Sequence, residues 1–218
     1  MLLLVFKYLS LAFSALLPLI NPLGSALVFF GLVGAAPAEV YHRLARKIAF
    51  NTIIFLFFAD LAGAAVLTFF SLSLPVVQVA GGLVVASMGW KLLNQSEASE
   101  RAEVSSAQTD HRSLDAKAFY PFSFPITAGP GTLVVTLTLS AHASQKTLIA
   151  TSFAQLGILA GIVLNCIGVF FCYAYAPRLT ARISRQTVHG ILRVIAFILL
   201  CIGAQIAWNG LEELIHQL

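Results

Sequence analysis

Long apolar stretches, separated by short polar segments, make up most of this chain. A helix needs about 20 predominantly apolar residues to cross the hydrocarbon core of a bilayer, and stretches of that length recur along the sequence. Of the 218 residues, 59% are hydrophobic and 10% are charged, whereas a soluble domain carries about 25% charged residues. The chain is therefore predicted to be an all-α membrane protein. We predict six spans, at residues 4–34, 48–71, 75–93, 119–141, 148–175 and 190–211.

The longest polar segment, residues 94–118, separates two groups of three predicted spans. It combines charges of both signs with several serines, which is typical of a solvated linker. We therefore divide the chain into a first three-helix repeat (1–93), the linker (94–118) and a second three-helix repeat (119–218). Because each group has an odd number of spans, the second must be inserted upside down relative to the first. Inverted repeats of this kind are found in many secondary transporters.

Lysine and arginine are distributed unevenly between the two sides of the predicted membrane domain. Eleven of the 13 follow spans one, three and five, and only Lys7 and Lys146 fall on the opposite side. Positively charged loops stay in the cytoplasm. We therefore expect a multi-pass protein whose termini both face outward and whose central loop is cytoplasmic.

Proline and glycine interrupt the first and fourth predicted spans. A proline inside a helix removes an amide donor and clashes with the preceding turn, and irregular backbone within a bilayer requires surrounding protein or a water-filled cavity. Two breaks in corresponding halves of a chain point to a transporter's substrate site near the bilayer midplane. The candidate substrate-binding residues at these breaks are Asn21, Pro22, Gly24, Ser25, Thr127, Ala128, Gly129, Pro130, Gly131 and Thr132.

The breaks offer groups that suit a small zwitterion. A half-helix that starts at a break has free backbone amides and a partial positive charge, which attract a carboxylate. Carbonyl groups at the end of the preceding half-helix can accept hydrogen bonds from an ammonium group. Ser25 and Thr132 follow the breaks, where their hydroxyls could bind a ligand or cap the helix. The alternative interpretation is that the prolines only kink packed helices.

Asp60 is the only acidic residue well inside an apolar stretch. A carboxylate at that depth is costly and indicates a functional site by default, so we consider it a candidate for binding a coupling cation or carrying a proton. The alternative is a structural carboxyl group that hydrogen-bonds a neighbouring helix, with Gln155 or Asn165 as partner.

The sequence contains no pattern that indicates catalysis, a metal centre or a bound cofactor. The five histidines fall in predicted loops or at span ends without metal-ligand spacing, and no nucleophile is paired with a base. A clustered basic face for nucleic acid is also missing. We therefore predict neither an enzyme nor a nucleic-acid-binding protein.

Four stretches of the sequence resemble the MarC family of bacterial inner-membrane proteins, which includes the SnatA-type transporters of small neutral amino acids. They appear in the order in which the family has them and are spread over the whole chain outside the linker. The stretches are Leu16–Gly24 (LLPLINPLG), Leu72–Gly82 (LSLPVVQVAGG), Phe124–Thr132 (FPITAGPGT), and Arg193–Ala196 with Gly203–Gly210 (RVIA and GAQIAWNG). The chain departs from the family pattern at Gln78, where arginine is common, and at Ala196, where glycine is common; Asp60 does not belong to the motif.

The resemblance implies six spans in the bacterial inner membrane, periplasmic termini and a binding site lined by the two breaks. It also makes glycine and alanine plausible substrates. We therefore predict a secondary transporter of small neutral amino acids that works by alternating access, with a proton or sodium as a possible coupling ion. The alternatives are efflux of drugs or metabolites and a non-transporting membrane scaffold or regulator.

Overall fold

The computed structural model describes residues 1–34, 36–94, 114–143, 147–182 and 185–216, and the regular structure in these ranges is entirely helical. The predicted all-α class is therefore confirmed. Most of the predicted linker lies outside the described residues. The helices are α1 (Leu2–Ile20), α2 (Pro22–Val33), α3 (Ala38–Phe69), α4 (Leu74–Asn94), α5 (Pro130–His142), α6 (Leu148–Ala174), α7 (Ala176–Arg182) and α8 (Arg185–His216). A 3₁₀ turn (Ala116–Ala118) and a π-helical segment (Phe119–Thr127) precede α5.

Several of the helices match the predicted spans. Among the described residues, four helical stretches are long and apolar enough to cross a membrane: Leu2–Val33, Leu74–Lys91, Leu148–Ala174 and Arg193–His216. The bent pair formed by Ala116–Thr127 and Pro130–His142 is a fifth candidate. The remaining prediction, residues 48–71, falls almost entirely within α3, a helix of 32 residues. That crossing and the six-span inverted repeat stay predictions.

Glycines allow α4 and α8 to pack backbone against backbone. A Cβ atom added to Gly82 would lie 2.6 Å from the Gly203 carbonyl oxygen, and one added to Gly210 would lie 2.6 Å from the Pro75 carbonyl oxygen. The contacts run in opposite directions along the two helices, so the pair is antiparallel. Small residues are the usual means of close helix approach in membranes, and here they join the last predicted span of each half.

The parallel pair α1 and α6 uses the same device. Gly157 and Gly161 of α6 face α1, and a Cβ atom added to Gly157 would lie 2.6 Å from the Val5 carbonyl oxygen. The two glycines form a G-x-x-x-G sequence, which suits close packing of membrane helices. This contact holds α1, which is the part of the first span that precedes the first break.

Helix α3 lies alongside both α5 and α6. Its Asp60 meets Ser140 of α5 and Gln155 of α6, and its Ile48 carbonyl accepts a hydrogen bond of 3.4 Å from Ser123 of the π segment. From Ile48 to Asp60 the contacting residue changes from Ser123 to Ser140, so the chain passes from the π segment into α5 in the same overall direction as α3. These contacts fix where the second break lies relative to the rest of the molecule.

Candidate functional site

The first break is a single residue, Asn21, between α1 and α2. Asn21 adopts a left-handed backbone conformation, with φ 44° and ψ 65°, which asparagine tolerates better than most residues. Its side-chain Oδ1 accepts a hydrogen bond of 3.1 Å from the amide of Gly24 and so caps α2. Pro22 occupies the first helical position, where the missing N–H costs nothing. The first break therefore involves a single residue, whose side chain caps the helix that follows.

The second break is longer and bends the chain by 70° between the π segment and α5. Ala128 is extended (φ −123°, ψ 91°), and Gly129 has φ −83° and ψ −179°. The cause lies in the sequence, because a residue before proline is driven out of the α region. Tyr120 and Phe124, which precede Pro121 and Pro125, have non-helical backbones within the π segment.

The helix that follows the second break has no side-chain cap. Gly129 occupies the capping position of α5 and offers no side chain to accept from the amides of the first turn. Its carbonyl oxygen accepts from the Thr132 amide at 3.0 Å and from the Leu133 amide at 3.3 Å. Helix α5 therefore begins with an N-terminus that no side chain neutralises, in contrast to α2.

The two breaks lie next to each other. A Cβ atom added to Gly131 would lie 3.2 Å from Cδ2 of Leu19 and 2.8 Å from Cγ2 of Val85. Leu19 is two residues before the first break, and Gly131 is in the first turn after the second. The two interrupted segments therefore pack against each other through these side chains.

A tyrosine hydroxyl connects the two breaks. The Tyr173 hydroxyl, one residue before the end of α6, lies 2.8 Å from the Thr127 hydroxyl, and the Ser25 side chain lies near the same tyrosine hydroxyl. All three side chains are buried. Ser25 follows the first break and Thr127 precedes the second, so this hydroxyl links the two interrupted helices.

Aromatic side chains hold the Tyr173 ring in place. The ring stacks on Phe29 of α2 with centroids 4.5 Å apart. Phe29 also makes edge-on contacts with Phe122 at 5.2 Å and with Tyr41 at 5.7 Å. All four rings are fully buried, and aromatic pairs of this kind stabilise a core beyond simple burial. We name these four residues the aromatic cluster.

Most of the predicted substrate-binding residues are buried around this junction. Asn21 is half-buried and Pro130 is exposed. The remaining eight are buried, namely Pro22, Gly24, Ser25, Thr127, Ala128, Gly129, Gly131 and Thr132. Their role in binding stays a prediction. Tyr173 was not among the predicted residues. A tyrosine near the end of an apolar span is as typical of a packing or interfacial residue as of a binding residue.

Asp60 lies in a polar cluster formed by three helices. It is buried, and the Gln155 amide, oriented with its nitrogen toward the carboxylate, donates to Oδ1 at 2.9 Å and to Oδ2 at 2.6 Å. The Ser140 hydroxyl donates to the Asp60 carbonyl oxygen at 2.7 Å. The Gln155 partner proposed from the sequence is therefore present, and a functional role for Asp60 stays a prediction beside it.

Asp60 is separated from the second break along α5. Ten residue steps lead from Pro130, where α5 begins, to Ser140, which amounts to about 15 Å along a helix that rises about 1.5 Å per residue. Ser140, which bonds Asp60, is near the far end of α5 from the break. Any influence of Asp60 on a ligand at the breaks would therefore pass through α5.

Two buried side-chain oxygens, one on α3 and one on α6, have no hydrogen-bond partner within the described part of the chain. They are Oγ1 of Thr52 on α3 and Oδ1 of Asn165 on α6. Asn165 uses its other side-chain atom to donate to the Phe13 carbonyl of α1 at 3.3 Å, four residues beyond Gly161 of the α1–α6 contact. Buried polar atoms are seldom left unpaired, so these two are available to a ligand that donates hydrogen bonds.

The fold and the breaks define the chain as a multi-pass helical membrane protein with two interrupted helices that meet. A family model described as MarC family integral membrane protein matches residues 6–215, and the chain belongs to the MarC family. The inner membrane protein MarC of Escherichia coli strain K12 is 28% identical over 214 residues, which cover 97% of each chain. Its counterparts in strains UTI89 and CFT073 have the same identity and coverage. No solved structure matches.

Proposed function

We propose that this protein is a secondary transporter of small neutral amino acids such as glycine and alanine. The observation that carries the proposal is the junction of the two breaks, where Tyr173 links Ser25 to Thr127 and Gly131 packs against Leu19. Interrupted helices that meet inside a membrane protein are the usual setting of a transporter's substrate site.

The chemistry of the junction suits both charged groups of an amino acid. A carboxylate would meet the uncapped N-terminus of α5 and the nearby hydroxyl groups, since helix N-termini and neutral donors bind anions well. An ammonium group would meet acceptors, which include the unpaired oxygens of Thr52 and Asn165. The carboxylate thus has hydrogen-bond donors and the ammonium group has acceptors, which a charged group needs when it is buried.

The close packing at the second break supports a small substrate. A Cβ atom added to Gly131 would already be within contact distance of Val85, Leu19 and Met88. A ligand at this position therefore has little room for a large side chain. Efflux of bulky amphipathic drugs would require a wider cavity lined by exposed aromatic residues. The geometry therefore favours glycine and alanine over drug-sized molecules.

The pattern of helix packing supports alternating access by two inverted repeats. The first break's helix packs on α6, and the second break's helix packs on α3. If the first three spans are exchanged for the last three, the α1–α6 contact corresponds to the contact of α5 with α3. The α4–α8 pair corresponds to itself. A pseudo-two-fold relation of this kind allows one half to rock against the other around a fixed site.

Asp60 is our candidate for the coupling site, with a proton or sodium as the coupling ion. Its carboxylate, Ser140 and Gln155 place oxygen atoms from three helices together. We further propose periplasmic termini and a cytoplasmic central loop, because this arrangement keeps eleven of the 13 lysine and arginine residues in the cytoplasm.

A counterflow assay tests the proposed function. Purified protein is reconstituted in proteoliposomes loaded in turn with each of the 20 amino acids, and uptake of the same labelled amino acid is compared with empty vesicles. We expect counterflow for glycine and alanine and none for large or charged amino acids. Absence of counterflow together with absence of binding would contradict a transporter and favour a scaffold or regulator, and transport of amphipathic drugs alone would favour efflux.

A further inference from the structure

Three hydroxyl groups from three helical segments meet at the junction of the breaks. They belong to Ser25 in the first turn of α2, Thr127 at the end of the π segment, and Tyr173 near the end of α6. The Tyr173 and Thr127 oxygens are 2.8 Å apart, and Ser25 adjoins the same tyrosine hydroxyl. We name these residues the hydroxyl group cluster.

The hydrogen atoms of two of these groups are already committed to the backbone. The Thr127 hydroxyl donates to the Phe122 carbonyl at 2.7 Å, and the Ser25 hydroxyl donates to the Asn21 carbonyl at 2.8 Å. Each hydroxyl has one hydrogen to donate. Toward Tyr173, Thr127 is therefore the acceptor, and the single tyrosine hydrogen is donated to it.

The Tyr173 hydroxyl is consequently the donor in this cluster whose hydrogen bond a ligand can take over. Its hydrogen bond goes to a neutral hydroxyl, which is a weaker acceptor than an ionised group. A hydrogen bond to a carboxylate is roughly twice as strong as one between neutral groups. An arriving carboxylate would therefore replace Thr127 as the acceptor at a net gain.

The ring of Tyr173 is held for this task before any ligand arrives. It stacks on Phe29 at 4.5 Å and is fully buried. A rigid donor in a desolvated site loses little conformational freedom on binding. The hydroxyl lies beside Thr127, which immediately precedes the second break.

We propose that Tyr173 is a substrate-binding residue whose hydroxyl donates a hydrogen bond to the α-carboxylate of the transported amino acid. The proposal rests on the proposed function and adds a residue and a recognised chemical group to it. Thr127 holds the tyrosine hydroxyl when no substrate is bound and releases it when a carboxylate enters.

Substituting Tyr173→Phe tests the proposal, with Tyr41→Phe as the matched control. Both tyrosines are fully buried and contact Phe29, but the Tyr41 hydroxyl donates to the Gly34 carbonyl at 2.6 Å, away from the breaks. Dissociation constants for glycine and alanine are measured with purified protein in detergent. We expect Tyr173→Phe to raise them about tenfold or more, as loss of a charge-assisted hydrogen bond does, and Tyr41→Phe to change them by less than about twofold.

A second ligand separates carboxylate recognition from a structural role. Glycinamide lacks the carboxylate, so the wild-type preference for glycine over glycinamide should shrink by about tenfold in Tyr173→Phe. Equal effects of the two substitutions, an unchanged preference, or tighter glycine binding by Tyr173→Phe would overturn the proposal.

The outcomes also separate this inference from the proposed function. If the wild-type protein binds glycine and Tyr173→Phe binds it equally well, only the role of Tyr173 is wrong. If the wild-type protein neither binds nor exchanges any amino acid, the proposed function fails and the inference fails with it. Should Tyr173→Phe prove poorly folded, Thr127→Val serves in its place. Thr127→Val keeps the shape of the side chain but removes the hydroxyl that lies 2.8 Å from the Tyr173 hydroxyl and accepts its hydrogen. This variant should alter the preference for glycine over glycinamide. Thr127→Ser keeps the hydroxyl and should not.

Discussion

The two breaks differ in how their backbone is satisfied. The first spans one residue, and Asn21 caps the following helix with its own side chain. The second bends the chain by 70° and leaves α5 without a side-chain cap. The comparison indicates that the first break is closed by its own side chain, whereas the helix after the second break starts without a side-chain cap.

The difference follows from the residues that precede each proline. Asparagine tolerates the left-handed conformation and also supplies a capping oxygen, so the Asn21–Pro22 pair closes its own break. Glycine before Pro130 supplies neither a side chain nor a preference for one conformation. Pro121 and Pro125 extend the irregular region further back along the chain. The substrate carboxylate is therefore expected at the second break.

The largest expected effect comes from filling the second break. Gly131→Leu should abolish binding of glycine and alanine, with a loss of affinity of roughly a hundredfold or more. The added side chain would collide with Val85 and Leu19, since even a Cβ atom would lie 2.8 and 3.2 Å from them. Binding is measured by equilibrium titration of the purified variant, and membrane insertion is checked by its yield in the membrane fraction.

Gly190→Leu is the matched control for this substitution. Gly190 lies on α8, and a Cβ atom added there would meet nothing within 4 Å among the described atoms. This variant should bind like the wild type. Normal glycine binding by Gly131→Leu would remove the second break from the site and with it the contrast drawn between the two breaks.

Asp60 should affect coupling through the second break. Its backbone carbonyl accepts from Ser140, which belongs to α5, the helix that starts at that break. Asp60→Asn keeps the shape of the side chain and removes the charge, so transport should lose its dependence on pH or on sodium while glycine affinity changes little. Initial transport rates in proteoliposomes, measured over a series of pH values with and without sodium, check this expectation.

Glu39→Gln provides a comparison on the same helix, because Glu39 is an exposed acid in the first turn of α3. It should leave the ion dependence unchanged. A pH and sodium profile of Asp60→Asn that superimposes on that of the wild type would give Asp60 a packing role only.

The smallest effect should come from making the second break resemble the first. Gly129→Asn would give α5 a capping side chain, because the backbone of Gly129 is extended and suits an N-cap. The new oxygen would compete with substrate for the amide of Gly131, so affinity for glycine should fall about threefold to tenfold. The cap would add a few tenths of a kcal/mol of stability, which is offset by the contact of its Cβ atom with the Pro125 carbonyl oxygen at 3.3 Å, so the net change in stability should be small. Titration and thermal unfolding of the same preparation check both values.

The reciprocal change is Asn21→Gly, which removes the cap of the first break and keeps access to its left-handed conformation. It should cost a few tenths of a kcal/mol in stability and leave glycine affinity within about twofold. Equal effects of the two substitutions on affinity would mean that the breaks contribute alike.

Sequence patterns predicted the helices and the positions of the breaks well, because both depend on local properties. Apolar runs of sufficient length identify spans, and proline with glycine marks Asn21 and Gly129 as interruptions. The contribution of Pro121 was missed, since only the Pro125–Thr132 stretch was interpreted as broken. Gln155 was correctly named as a possible partner of Asp60, because a lone amide on an apolar helix needs a polar neighbour.

The contacts between distant segments could not be predicted from one sequence. Tyr173 is separated from Thr127 by 46 residues, and nothing in the local sequence distinguishes it from Tyr175. The unpaired oxygens of Thr52 and Asn165 likewise become informative only when the packing around them is known.

Protection of cysteines at both breaks tests the central claim, that the breaks form one ligand site, most directly. The three native cysteines, Cys166, Cys172 and Cys201, are replaced by alanine, and a single cysteine is introduced as Ser25→Cys or as Thr132→Cys. The rate of modification by a small thiol reagent is then measured against glycine concentration. A single shared site predicts that glycine protects both positions with the same half-maximal concentration in proteins of equal affinity. Protection at only one break, or at neither while glycine is bound, would contradict the claim.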